Sequence, residues 1–364
     1  GCVPHDLRSW YAGGSLVGIG KDGKPLDQDA RPIVVGETWR RLAAKVALSY
    51  EQRELQGKLK PHQLACSMKG GAEVIIHCLR QWLQRNAANR NFVLLNKDYE
   101  NAFNMADEHE FLVCTYDDLP DCARLAEWCY GEPVNIVYNS RVYHGKSQKG
   151  QQGCPLMMPM FCLLRDKVRK LTPATNNLDF YADYADDGVD GGTPEQVMDA
   201  LRQEMTLADR FGYKLNYDKM VLYTVAGEDF QGDLSGFESL GIPINKSGNV
   251  VFMKAPVQGS PEFLREFCNK KMEELRKVYK VIEDMKSKHV AYYLLKNVAG
   301  VCRVMYLMRV AHRGLIDELM LNADAEMKRT FETLVGQSFD HETARAWEQA
   351  NLPIRGGGVG LRLH

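Results

Sequence analysis

Strand-length apolar runs and helical apolar periods alternate along the first two thirds of the chain, and the last third is helical in period almost throughout. Residues 1–36, rich in Gly, Pro and charge, predict a hairpin or two short strands around a mobile tip. Thr38 opens a helix through TWRRLAAKVALSYEQREL, with Trp39, Leu42, Val46 and Leu48 or Tyr50 as its apolar face. A second helix covers GGAEVIIHCLRQWLQR. The run NFVLLNKD predicts a buried strand whose last residue, Asp98, is acidic, and NAFNMADEHEFL predicts the helix after it.

Residues 119–130 read as helix, and VNIVYNSRVYH reads as a hairpin turning at Asn-Ser. GCPLMMPMFCLLRDKVRKL predicts a helix begun near Pro155, with Pro159 unexplained inside it. FYADYADDG reads as strand, turn and strand. TPEQVMDALRQEMTLADRFG is a capped amphipathic helix stopped by Gly212. Short strands are predicted over MVLYTV, GFESLGIPI and NVVFM, then three helical stretches from Pro261 onward. The order implies an α+β chain: a mixed region over 1–90, a βαββαβ centre over 91–255 and a helical region over 256–364. A centre of this split βαβ kind can bring the strand end at Asp98 beside the hairpin at Asp186 and Asp187.

Composition narrows the class. With 45% hydrophobic residues, 9% aromatics and a formal net charge of -1, the 364 residues are not a disordered chain, and they suffice for two or three packed subdomains. That balance argues against a simple polycation coating nucleic acid. Ten cysteines without CxxC or zinc spacing predict reduced core thiols and an intracellular, reducing compartment. No apolar run approaches the ~20 residues of a membrane span, and the start GCVPHDLRSW has no signal-peptide pattern, so no membrane partner is expected. Opening on Gly1, the chain reads as a fragment or processed segment, with other domains of a larger polyprotein as expected companions.

The three aspartates of FYADYADDG raise the chemical question. Asp-Asp-Gly alone is also ordinary turn chemistry. Two carboxylates ~4 Å apart repel by about 4 kcal/mol at an effective dielectric near 20, so acids clustered with Asp98 call for a cation. Magnesium bound by one or two carboxylates plus substrate phosphates meets that need, and a pair of such ions serves an in-line displacement.

In order, VLLNKDYENAFN, SQKGQQGCPL, YADDG, GYKLNYDK and ESLGIPI resemble the polymerase motifs of reverse transcriptases, most like those of non-LTR retrotransposons and the group II intron lineage. Upstream, GIGKDGKPLDQDARPIVVGETWRRLAAK resembles the fingers of that family, and LKPHQLACSMKGGAEVIIHCLRQWL continues the match. QANLPIRGGGVGLR is similar to a C-terminal segment of retrotransposon-like reading frames. The resemblance implies a right-hand polymerase with fingers over 1–90, a palm over 91–255, and a helical thumb with a C-terminal segment over 256–364. It implies RNA-directed DNA synthesis from deoxynucleoside triphosphates on an RNA template and a DNA or RNA primer. A nuclear location follows if the retroelement is eukaryotic.

Carried residue by residue, the resemblance makes Asp98, Asp186 and Asp187 the ligands of two magnesium ions, with manganese able to replace them. Phe103 takes the position of the aromatic under the sugar, and Gln152 and Gly153 that of the pair along the incoming nucleotide. Lys21, Lys24 and Arg31 take the tip that grips the triphosphate, and a surface hairpin with three cations is the plain alternative. Lys219 matches a proton donor to pyrophosphate, or is a strand-edge lysine. Tyr184 belongs to the Tyr-Ala-Asp-Asp turn, and Leu240 and Gly241 match a grip on the primer end. Residues 262–288 carry eight Lys/Arg and six Asp/Glu, which suits either a solvated face or a duplex-holding thumb. Phe103 and Tyr-Ala-Asp-Asp separate this pattern from RNA-dependent RNA polymerases, which resemble an acid and Gly-Asp-Asp at those positions. The chain departs from the family pattern at Asp183, at the Met-rich GCPLMMPMF and at Asn96. Asp183 is a surplus charge, either protonated in burial or carried as a cost. These departures suit a drifting copy, and a catalytically decayed or domesticated, maturase-type RNA-binding scaffold is the alternative function.

Overall fold

The structure is a computed structural model in which residues 3–20, 30–66, 68–145, 151–311, 313–340 and 343–361 are described. The chain divides into two compact units, Gly1–Ser247 and Gly248–His364. Lys21 and Lys24, with residues 147–150 of the SQKGQQG motif, lie outside the described residues.

The first unit runs α1 (His5–Tyr11), β1 (Gly14–Gly20), β2 (Ala30–Gly36), α2 (Thr38–Leu59), α3 (Gly71–Arg85), β3 (Val93–Lys97), α4 (Ala102–Met105), α5 (Glu108–Asp118) and α6 (Pro120–Tyr130). It continues with β4 (Val134–Tyr138), β5 (Arg141–Gly145), α7 (Met157–Lys170), β6 (Phe180–Tyr184), β7 (Asp187–Gly192), α8 (Pro194–Phe211), β8 (Val221–Thr224), α9 (Ser235–Ser239) and β9 (Ile244–Asn245).

Two sheets organise it. In the first, of order β2-β1-β4-β5, β1 and β2 form a hairpin registered from Gly14↔Gly36 to Gly20↔Ala30, and β4 runs parallel to β1. Asn139 and Ser140, at φ of 47° and 60°, make the turn into β5, a pair of positive values that suits the strands' twist. The second sheet has the order β6-β7-β3-β8-β9. Its central strand β3 buries Val93, Leu94 and Leu95 completely and pairs antiparallel with both β7 and β8. Helix α8 packs on β3 and β7, and α7 packs on α5 and α8. A capping box between Thr193 and Gln196 starts α8, and Gly212 at φ 66° ends it where a Cβ would lie 2.8 Å from the Asp107 amide. Pro159 falls in the first turn of α7, where its missing N–H has no intrahelical partner to lose.

Several predicted elements differ from those observed, beginning with residues 1–36, which open on helix α1 before the hairpin of β1 and β2. The helix over α2 is present, but Trp39, Leu42, Val46 and Tyr50 face solvent, Tyr50 being 77% exposed. The inward face is Arg40, Ala44, Glu51, Leu55 and Leu59, because Arg40 and Glu51 have partners inside: Glu51 accepts from the Asp121 amide at the start of α6 at 2.8 Å. NAFNMADEHEFL is two helices rather than one, since the Asp107 carboxylate caps Glu110 and restarts the chain as α5. GFESLGIPI is not a strand: Asp233 accepts from the amide and hydroxyl of Ser235 and initiates α9, leaving only β9 to join the sheet.

The second unit begins with a hairpin of β10 (Val250–Phe252) and β11 (Ala255–Gln258) and continues as α10 (Pro261–Glu283), α11 (Lys288–Asn297), α12 (Met305–Val310), α13 (Arg313–Val335) and α14 (Ala344–Asn351). Met272, Leu275 and Tyr279 of α10 and Leu319, Ala323 and Met327 of α13 are buried in its core. The long helix predicted from Pro261 stops at Glu283, and Ser287 caps a new one. Among the described residues no helix is long and apolar enough to cross a membrane.

Gly191 of β7 lies under the Trp82 ring of α3, where an added Cβ would meet ring carbons at 2.8 and 2.9 Å. Gly191→Ala is therefore expected to destabilise the chain by about 1–3 kcal/mol through overpacking, read as a lower urea midpoint with an unchanged slope.

Candidate active site

The site is built on the ends of β3, β6 and β7. Lys97, the last residue of β3, pairs with Gly188 of β7, and Tyr184 pairs with Asp187 across the β6-β7 hairpin. The acid following β3, Asp98, and the acids of the turn thus come to one edge of the sheet. Ala185 and Asp186 alone form the turn, with Ala185 at φ 54°.

Directly beneath lies a buried set of three cations and three acids. Arg169 of α7 grips Asp183 with Nε and Nη2, both at 2.8 Å, and places Nη1 2.7 Å from Asp190. Lys97 sits 2.9 Å from both Asp190 and Glu204 of α8, and Arg165 donates to Glu204 at 2.7 Å. Asp190 is held by these charge contacts rather than by well-aligned hydrogen bonds. Tyr99 donates to Glu204 at 2.8 Å, and its ring and that of Tyr213 lie 4.4 and 5.4 Å from the Arg165 guanidinium. Gly188 makes room: a Cβ there would stand 2.6 Å from an Asp183 oxygen and 3.2 Å from Lys97 Cε.

This arrangement corrects both expectations for Asp183. Burial alone would push its carboxyl up, but the Arg169 guanidinium, by charge and hydrogen bond, together with Lys97 and Arg165, holds it below the usual carboxylate range. Asp183 is therefore neither protonated nor an uncompensated charge. Glu204 is likewise pushed up by burial and pulled well below its ordinary value by Arg165, Lys97 and Arg169.

Above the network opens a cavity of about 550 Å³ whose wall includes Asp98, Asp186, Phe103, Gln152, Gly153, Arg31 and Lys219. These residues come from widely separated stretches. Burial raises the Asp186 carboxyl, an effect partly offset by its own backbone N–H and by Arg31 and Arg165. Phe103 is half-buried, its ring 4.5 Å from that of Phe161. Gly153 has φ 107°, and a Cβ on it would meet the Val34 carbonyl at 2.8 Å, so only glycine lets this loop lie on β2. Lys219 is exposed at the end of a short 3₁₀ turn. Asp187 is exposed at the start of β7, and Tyr184 is half-buried. Leu240 and Gly241 follow α9, Gly241 at φ 73°; none of these four reaches the cavity wall.

Several supporting residues escaped the sequence reading. Arg40 donates to the Ala12 carbonyl and, at 2.6 Å, to Gln151, anchoring the loop that carries Gln152 and Gly153. Gln63 bonds the main chain of Ala185. Lys97, Arg165, Arg169 and Glu204 form the buried network. The burial-compatible spacing of Arg165 and Arg169, one turn apart in the charged C-terminal half of α7, was the available signal.

Among the described residues no three His, Cys, Asp or Glu side chains are gathered closely enough to hold a metal ion by themselves. Two carboxylates opening on one polar cavity nevertheless suit a hard cation that completes its shell with water and phosphate oxygens.

No family model matches the chain, and no curated protein does. Among solved structures, a telomerase from Candida albicans in complex with a TWJ fragment of telomeric RNA aligns over 93% of this chain with a TM-score of 0.52 and 11% identity. The fold is that of a right-hand, reverse-transcriptase-like polymerase. Apo telomerase from Candida tropicalis aligns over 94% of this chain, with a TM-score of 0.48 and 12% identity. The chain spans 57% of the length of the first of these proteins and 61% of the second.

Removing Arg169 leaves Asp183 and Asp190 buried without their guanidinium. Arg169→Ala is expected to cost about 3–5 kcal/mol in denaturant unfolding at neutral pH. The pH dependence has a fixed sign. Asp183 and Glu204 titrate lower folded than unfolded, so their stabilisation is complete above about pH 4–5 and is lost as pH falls through the depressed folded values. Unfolding midpoints measured from pH 7 downward should fall below about pH 4–5, by less in Arg169→Ala than in the parent.

Proposed function

We propose that this chain is the polymerase portion of an RNA-directed DNA polymerase belonging to a retroelement. The observation that carries the reading is the single cavity that gathers Asp98, Asp186, Arg31, Phe103, Gln152, Gly153 and Lys219. In the reaction, the 3′-oxygen of a DNA or RNA primer bonds to the α-phosphorus of a deoxynucleoside triphosphate paired to an RNA template. The bond from that phosphorus to the β-phosphate bridge breaks, and pyrophosphate leaves. Two magnesium ions, or manganese in their place, held by Asp98, Asp186 and Asp187 with the substrate phosphates, would stabilise charge on the attacking and leaving oxygens. Arg31 offers a planar fork to the triphosphate, and Lys219 can supply a proton to the leaving pyrophosphate. Phe103 would lie under the sugar and exclude a 2′-hydroxyl, while Gln152 and Gly153 would lie along the incoming nucleotide.

A second reading, an RNA-binding scaffold without catalysis, is favoured by one observation: Asp187 stands exposed and away from the cavity wall.

Magnesium-dependent extension of a DNA primer on an RNA template separates the two. Asp186→Asn is expected to lower the rate by at least about a hundredfold while duplex affinity stays near that of the parent. Binding of the duplex with no incorporation by the parent chain would establish the scaffold instead. Phe103→Ala should raise incorporation of ribonucleotides relative to deoxynucleotides by about tenfold or more, measured as the ratio of kcat/KM values for the two substrates.

A further inference from the structure

Segment 62–65, between α2 and α3, meets β6 through a single parallel bridge of Gln63 with Asp183. The Asp183 amide donates to the His62 carbonyl at 2.8 Å, and the Leu64 amide donates to the Asp183 carbonyl at 3.0 Å. His62 stacks on Tyr181 with ring centroids 3.8 Å apart. Between these contacts, the Gln63 side chain, in a residue only 2% exposed, turns toward the hairpin tip. Its Oε1 accepts from the Ala185 amide at 2.9 Å and its Nε2 donates to the Ala185 carbonyl at 3.3 Å. Both main-chain groups of one residue are therefore read by one side-chain amide. That residue is the alanine at φ 54°, a left-handed conformation that a Cβ disfavours and glycine takes freely. The next residue is Asp186, on the cavity wall.

We propose that Gln63 is a positioning residue for the catalytic hairpin: it holds Ala185 left-handed and so fixes where the Asp186 carboxylate points. Gln63 does not line the cavity and acts only through the turn. The expected effect on rate rests on the polymerase reading above, but the clamp itself does not.

The test uses the full chain and two readouts. The first, hydrogen exchange of the Ala185 amide without nucleotide or metal, is independent of activity. In the parent this amide should be protected at least tenfold beyond an unstructured amide, and exchange at the unprotected rate would overturn the clamp without any variant. Gln63→Met keeps length and bulk but makes neither hydrogen bond. It should raise exchange at Ala185 at least tenfold while leaving the β3 amides unchanged. The second readout is primer extension, where Gln63→Met should lower kcat about tenfold with less than a twofold change in the deoxynucleotide KM. Adding Ala185→Gly should restore most of that loss, because glycine holds the turn unaided. A Gln63→Met chain with parental exchange and kcat, or a loss that Ala185→Gly does not relieve, would overturn the proposal. If the parent chain extends no primer, the polymerase reading fails, and the exchange data still decide whether Gln63 holds the turn.

Discussion

The buried pairing of Lys97, Arg165 and Arg169 with Asp183, Asp190 and Glu204 is the constraint on which the rest of the first unit turns. Each ion loses several kcal/mol of hydration when it enters the core, and the loss is offset only if every partner is in place. The six groups are contributed by β3, β6, β7, α7 and α8, so no single element satisfies its charges before the others arrive. The strands that present Asp98 and Asp186 are thereby fixed in register by electrostatics as well as by the apolar contacts of Val93 to Leu95. Gly188 is part of the same solution, since any side chain there would displace the Asp183 carboxylate.

Around that base the cavity wall is assembled from pieces held by separate polar anchors. Arg40 fixes the loop of Gln152 and Gly153, and the Gln63 amide fixes the hairpin tip. Phe103 comes from the one-turn helix α4, which the Asp107 cap separates from α5. The result is a polar hollow whose wall is held from several separate elements, a form that suits positioning and electrostatics.

Much of this was legible in the residues. The buried strand β3, the hairpin around the Tyr-Ala-Asp-Asp segment, the Asn-Ser hairpin and the capped helix α8 are local signals and all are present, although β3 ends at Lys97, one residue short of Asp98, and the turn falls on Ala185 and Asp186 rather than on Asp186 and Asp187. What was not legible depends on partners distant in sequence. The inward face of α2 could not be read from apolar period because Arg40 and Glu51 are satisfied by residues 111 and 70 positions away. Asp183 looked like surplus charge because nothing local marks Arg169, 14 residues earlier among several charged residues of α7, as its partner. Gln63 carries no sequence signal at all, since its role is visible only once Ala185 is seen at positive φ.

The depth of the ion pairs also divides the molecule's responses to ionic strength. Mobile ions screen charges that touch water over roughly 10 Å at 0.1 M salt and hardly reach pairs sealed from solvent. Lys97 and Asp190 expose none of their side-chain surface, so the buried network that fixes the strands should hold its shape in brine. Contacts to a polyanionic backbone at the surface, which depend on counter-ion release, weaken over the same range. Salt would thus act on any nucleic-acid contact at the surface more than on how the buried acids are arranged.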